Sequence, residues 1–198
     1  MGPSPVAVTI LLGMHSAGKT TLGHQLAASG YSYFDEIGTQ IRAISHCTVT
    51  TSCELFEREV MRLEIERDKT VLQATNTPVI ETWHIGNIAF AEARGNLSAA
   101  ARYRSSLRGI QDSFYVNAVH LQLDDDTFRH RVTERGTAVD DALAFYRDVE
   151  ARWPDILEDL FDDCFELTFL DESARNSDAA AQVIRKGLRR RDETAQEN

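Results

Sequence analysis

Near the start of the chain the apolar run Val6-Ala7-Val8-Thr9-Ile10-Leu11-Leu12 stops at a glycine, and Gly13-Met14-His15-Ser16-Ala17-Gly18-Lys19-Thr20 follows. No other stretch constrains the fold as strongly. The run is rich in β-branched residues and bounded by Pro5 and Gly13, so it reads as a buried strand. A helix is expected from about Lys19 to Ser29, stopping at Gly30. A buried strand, a tight glycine turn and a helix form the first step of a parallel α/β sheet.

The turn fits the pattern G-x-x-x-x-G-K-[ST], the P-loop. Its glycines let the backbone curl with N–H groups pointing inward, and the helix adds the positive end of its dipole. The pattern predicts a cradle for the phosphates of ATP built from Gly13, His15, Ser16, Ala17, Gly18, Lys19, Thr20 and Thr21. Lys19 bridges the outer phosphates, the Thr20 hydroxyl takes a place on Mg²⁺, and Thr21 contacts the inner phosphate. The Met14 and His15 side chains read as spacers pointing away from the phosphates or as further contacts. Only three of the 21 basic residues are lysines, which makes the position of Lys19 harder to ascribe to chance.

Strands are expected at Tyr31–Phe34, Thr77–Glu81, Val116–Leu123 and Cys164–Leu170. Helices are expected over about 53–74, over 83–114 with a break near Gly95-Asn96, and over Asp125–Arg135. Two more are expected over Asp140–Asp162, with a kink or restart at Trp153-Pro154, and over Ser177–Arg189. This alternation predicts an α/β three-layer sandwich, a five-stranded parallel sheet with helices on both faces. Residues 1–190 form one domain in this reading, with a lid near 129–142, and 191–198 form a disordered tail. Ligands of such sheets bind beyond the carboxyl ends of the strands.

The net charge of −10 excludes a broad nucleic-acid surface, but local arginines still hold a phosphorylated small molecule. No apolar run approaches the roughly 20 residues of a membrane span, and no leader segment is evident. Cys47, Cys53 and Cys164 lack zinc-type spacing and read as thiols of a reducing cytoplasm. The helices at 53–74 and 83–114 offer faces on which a second copy could pair as a homodimer.

The stretch "YSYFDEIG" has features of ATPase acidic motifs and of the D-x-x-G of GTPases, but Glu36 follows Lys19 too closely, and N-K-x-D and LSGGQ are absent. Taken over about residues 6–188, the chain resembles the nucleoside and nucleotide kinases of the P-loop group, such as deoxynucleoside kinases and thymidylate kinases. The resemblance rests on Asp35-Glu36 after the second strand, Glu81 ending the third, and "RHRVTERG" with Arg129, Arg131 and Arg135 before Gly136. The segment "FYRDVEARW" at 145–153 adds to it. The chain departs from the pattern after Glu81, where Thr82 and Trp83 replace the usual arginine.

The resemblance implies ATP- and Mg²⁺-dependent phosphoryl transfer to a nucleoside or nucleoside monophosphate. Glu36, or else Asp35, accepts the proton of the acceptor hydroxyl. Glu81 serves the metal. Arg131 and Arg135, four apart on one helix face, meet developing charge as the lid closes. Trp83, His84 and Asn87 form a wall against the acceptor, with a core role for Trp83 as the alternative. Arg42 and Arg94 reach a phosphorylated acceptor. A kinase of another small metabolite and a regulatory NTPase with slow hydrolysis are the rival readings.

Overall fold

The computed structural model describes residues 5–45, 47–51, 53–133, 139–162, 165–171 and 178–186. Five strands, β1 (Val6–Leu12), β2 (Ser32–Phe34), β3 (Pro78–Glu81), β4 (Phe114–Leu121) and β5 (Phe165–Leu170), form one parallel sheet in the order β2-β3-β1-β4-β5. The chain steps from β1 out to β2, returns to β3, and then crosses β1 to reach β4. The order therefore reverses at β1, and the crevice at its carboxyl end is the expected ligand position.

Side chains of a strand alternate between faces, and β1 shows how one strand feeds two cores. Val8, Ile10 and Leu12 point into a core shared with α2 (Ile37–Ser45), α3 (Glu54–Leu72), α4 (Trp83–Ala93), α5 (Leu97–Arg108) and α7 (Val139–Phe161). Leu11 points to the other face, where Leu22 and Leu26 of α1 (Lys19–Ala28) and Ala180, Ala181 and Ile184 of a helix over 178–186 cover the sheet. This is the three-layer α/β sandwich expected from the sequence. Burying each such aliphatic side chain contributes about 1.5–3 kcal/mol.

Several boundaries differ for physical reasons. β4 starts at Phe114, two residues before the expected Val116, because Phe114 is buried edge-on against Trp83. The helical stretch over 83–114 is two helices, broken at Gly95 as expected, and the Asn96 side chain caps α5 by accepting from the Ala99 amide at 3.2 Å. No element was expected at Ile37–Ser45, where Gly38 and β-branched residues lower helix propensity. Tertiary burial of Ile37 and Ile41 makes it helical. α7 runs through Pro154, which removes one backbone donor, while Trp153, Ile156, Leu157 and Leu160 bury the surrounding face. The expected lid core, with Arg135 and Gly136, lies outside the described residues, as do Cys164 and the tail over 191–198. No helix among the described residues is long and apolar enough to cross a membrane.

Candidate active site

Gly13 has a φ of +153°, and a Cβ there would lie 2.9 Å from the Leu121 carbonyl oxygen, so only glycine lets the turn lie this close to β4. Ser16 and Gly18 also adopt positive φ, 65° and 89°, and the Ala17 amide donates to the Met14 carbonyl at 3.1 Å. The resulting concave backbone ends on Lys19, the first residue of α1. Lys19 Nζ donates to the carbonyls of Gly13 and Met14 at 3.0 and 3.2 Å. Met14 is fully buried with Leu123 and Phe128 and points away from the cradle, as a spacer does. His15 is exposed and stacks on Tyr146, with ring centroids 6.4 Å apart. The Ser16 hydroxyl oxygen is buried and has no hydrogen-bond partner among the described residues. That orphan acceptor and donor fits a phosphate oxygen.

Pairing of Leu11 with Glu81 brings the end of β3 beside the cradle. Glu81 Oε2 accepts from the Thr20 hydroxyl at 2.9 Å and from the Tyr33 hydroxyl at 2.7 Å, and Oε1 lies 3.7 Å from Lys19 Nζ. Thr20 and Glu81 thus present two hard oxygen donors next to the phosphate cradle, a set that suits Mg²⁺, which keeps waters and phosphate oxygens in its shell. Tyr33 was read from the sequence only as a strand residue. It reaches Glu81 because its ring lies against Gly23 of α1, where a Cβ would approach within 2.1 Å. Burial, then the Glu81 hydrogen bond, pushes the Tyr33 hydroxyl well above its ordinary range, so it stays a donor.

Glu36 follows β2 and pairs with Arg42 of α2, Oε1 to Nη2 at 2.9 Å. Burial alone would raise its carboxyl, but the charges of Lys19 and Arg42 outweigh that and hold it below the ordinary range. The action of Lys19 on Glu36 places this second carboxylate within the field of the cradle. Asp35 is exposed, and its backbone carbonyl accepts from Arg67 Nη1 at 2.7 Å. Arg67 is also ion-paired to Glu64, whose other oxygen accepts from Asn87 Nδ2 at 2.7 Å. Glu64 and Arg67 went unnoticed in the sequence, because an i,i+3 pair on a helix normally reads as a solvated face. Here both are buried.

The structure corrects three expected acceptor contacts. Trp83 and His84 have no exposed surface. The Trp83 indole donates to Asp68 Oδ1 at 2.8 Å, and His84 Nε2 lies 2.9 Å from Asp68 Oδ2. Side chains without surface offer no wall to an acceptor. Arg94 is also committed: Nη1 meets Glu57 Oε1 at 3.1 Å and Nε donates to the Val49 carbonyl at 2.8 Å. Its guanidinium stacks on Phe56 and Phe90, 5.6 and 5.3 Å from their centroids. Buried with a buried partner, it neutralises Glu57 instead of facing a phosphate. Asn87 keeps some exposure.

Arg131 of α6 (Asp125–Thr133) donates from Nη1 to the Ser16 carbonyl at 2.8 Å, so the second half of the chain closes onto the cradle. Tyr146 of α7 stands where the charges of Arg42, Glu36 and Arg94 all act on its hydroxyl, which burial pushes above its ordinary range. Thr21 is exposed at the start of α1. The structure therefore gathers Gly13–Thr20, Glu36, Arg42, Glu81 and Arg131 at one end of the sheet.

A family model described as an AAA domain matches residues 8–159. No curated protein matches the sequence. Among solved structures, deoxyadenosine kinase from M. mycoides with bound dCTP superposes with a TM-score of 0.59 at 14% identity, over 90% of this chain and 98% of that one. Polyphosphate kinase 2 from Arthrobacter aurescens gives 0.58 at 13% identity, over 98% of this chain and 71% of that one. The YorR protein from Bacillus subtilis, in complex with phosphorylated GDP, gives 0.54 at 13% identity, over 92% and 95%. At these identities the likeness is one of fold.

Proposed function

Because the chain belongs to the AAA-domain family, we propose that its P-loop serves an ATP- and Mg²⁺-dependent kinase acting on a nucleoside or nucleoside monophosphate. The observation that carries this reading is the convergence of two carboxylates from adjacent strands on one lysine. Glu81 lies 3.7 Å from Lys19, and Glu36 lies within its field. The second carboxylate does not stand beside Glu81 on the same strand but follows β2 and is ion-paired to Arg42 of α2, an arrangement that suits a bound acceptor better than an activated water. The deoxyadenosine kinase among the structural neighbours supports the acceptor class.

In this mechanism ATP supplies the phosphoryl group; Thr20 and Glu81 would hold Mg²⁺, which would supply charge neutralisation at the phosphates. Lys19 and the inward backbone N–H groups of the cradle hold the outer phosphates. Glu36 orients the acceptor hydroxyl and takes its proton as the bond to phosphorus forms. Its low pKa makes it a weak base, which suits a loose transfer in which the proton leaves late. Arg42 fixes Glu36 and serves as the arginine for a phosphate on the acceptor. Arg131, already on the Ser16 carbonyl, and Arg135 complete the positive surround of the transferred group. Transfer is direct and in line, with no covalent enzyme intermediate. The test is ADP formation from Mg²⁺-ATP with and without a panel of nucleosides, nucleoside monophosphates and sugars. Stimulation by a nucleoside or its monophosphate is expected, and indifference to every acceptor overturns the reading.

A further inference from the structure

Two thiols that the phosphoryl chemistry does not use face each other across the connection from α2 to α3. Cys47 Sγ and Cys53 Sγ lie 3.1 Å apart and are not bonded to each other. Thr48 ties the turn between them: its Oγ1 lies 2.6 Å from Thr51 Oγ1 and accepts from the Thr51 amide at 3.1 Å. The sulfurs are therefore brought together by local bonds before any covalent step. Cys53 is exposed and occupies the N-cap of α3. A hydrogen bond with Cys47, then the backbone amides of Phe56 and Leu55, hold its thiol below the ordinary range, which favours the reactive thiolate. The same connection supplies the Val49 carbonyl that holds Arg94 Nε at 2.8 Å, and Val49 packs against the cluster containing Met14 and Tyr146.

We propose that Cys47 and Cys53 form a reversible dithiol–disulfide couple, oxidised by hydroperoxides and reduced by small thiols, that locks the connection between α2 and α3. The Cys53 thiolate attacks a peroxide oxygen, becoming a sulfenic acid and releasing hydroxide, which takes up a proton as water. The Cys47 sulfur then attacks the sulfenic sulfur. The S–S bond forms, the S–O bond breaks, and the oxygen leaves as a second water with the Cys47 proton. Two thiols and one hydrogen peroxide thus give one disulfide and two waters; each sulfur loses one electron and the peroxide gains two. Thiol–disulfide exchange with a reductant reverses the step. A disulfide needs an S–S distance of about 2.0 Å, so the sulfurs close by about 1 Å. Val49 lies inside the closed ring, and oxidation restrains the carbonyl that holds Arg94. Resting on the kinase reading above, the lock acts through α2, which precedes Cys47 and carries Arg42, the ion-pair partner of Glu36, and it changes acceptor KM several-fold while leaving KM for ATP in place.

The experiment titrates the full chain with hydrogen peroxide and follows intact mass, differential alkylation and peptide mapping. Cys53 is expected to alkylate fastest, and the oxidised protein to lose two hydrogens and yield a Cys47–Cys53 linkage that dithiothreitol removes. Cys47→Ser should stop at a Cys53 sulfenic acid that dimedone traps, and Cys53→Ser should form no linkage. Independent alkylation of both thiols after oxidation, or a linkage to Cys164 in their place, overturns the couple. None of these readouts needs turnover, so they stand or fall apart from the kinase reading. Acceptor-dependent turnover with an acceptor KM unchanged by oxidation overturns the lock and leaves the kinase reading intact.

Discussion

Glu81 and Glu36 end neighbouring strands, yet they are held in opposite ways. Glu81 sits among neutral hydroxyls, Thr20 and Tyr33, with Lys19 at 3.7 Å. Glu36 is gripped by a full charge, Arg42, at 2.9 Å. On the Glu81 side the partners are rotatable donors that can turn aside when a cation arrives. On the Glu36 side a pair of two full charges fixes the carboxylate. The Glu81 side is thus built to exchange partners, and the Glu36 side to hold its shape.

The largest way to break this division is Lys19→Ala, since Lys19 acts on both carboxylates. It should lower kcat by about 10²–10³-fold, as loss of a charge-stabilising donor does, with circular dichroism unchanged. Near-normal turnover in a folded variant removes the assignment. Arg94→Ala probes the corrected residue. It should cost about 3–5 kcal/mol of stability by leaving Glu57 buried and unpaired, measured by urea denaturation, with little change in acceptor KM for the protein that remains folded. A large KM effect at unchanged stability would return Arg94 to the acceptor site.

Paired substitutions sharpen the comparison further. Glu36→Gln and Glu81→Gln should each lower kcat by about 10²-fold, but raised Mg²⁺ should restore only the Glu81 variant. The reverse rescue would exchange their roles. Because the charges of Lys19 and Arg42 hold the Glu36 carboxyl below its ordinary range in the folded protein, its charged form persists as pH falls through the range where a free glutamate protonates. Its contribution to stability is present above that range and is lost only at lower pH, as the folded group protonates. The acid limb of kcat/KM assigned to Glu36 should lie below the ordinary glutamate range and vanish in the Gln variant. Arg131→Ala should lower kcat about tenfold, the value of one hydrogen bond to a charged group, with KM for ATP changing less. The smallest effect is expected for Tyr33→Phe, about fivefold in the Mg²⁺ dependence of turnover, from a single lost hydrogen bond near 1 kcal/mol.

The same division governs what the sequence discloses. The P-loop is contiguous, and its geometry follows from local backbone rules: glycines where φ is positive, then a helix. Strand β1 and the start of α1 at Lys19 were therefore readable to the residue, and the five parallel strands were readable in number and order along the chain but not in their bounds. Glu81 and Glu36 were found by position at strand ends. What Arg94, Trp83 and His84 touch was not readable, because Glu57 and Asp68 lie 37 and 15–16 residues away on a helix whose charges look solvent-facing. Tyr33 was missed for a related reason: its hydroxyl partner, Glu81, is 48 residues distant. Helix α2 escaped because burial of Ile37 and Ile41, not propensity, makes it a helix.

Arg67 and Asp68 are consecutive residues of α3, and each tethers a segment beside one carboxylate, Arg67 through a backbone carbonyl and Asp68 through two side chains. Arg67 holds the Asp35 carbonyl next to Glu36, and Asp68 holds Trp83 and His84 just past Glu81, where Thr82 and Trp83 carry positive φ of 70° and 48°. One turn of one helix is therefore the gauge that sets the distance between Glu36 and Glu81. A shift of α3 as a body carries both carboxylates together and preserves their spacing. A residue inserted between Arg67 and Asp68 would instead rotate one tether about 100° from the other and put the two halves of the site out of phase.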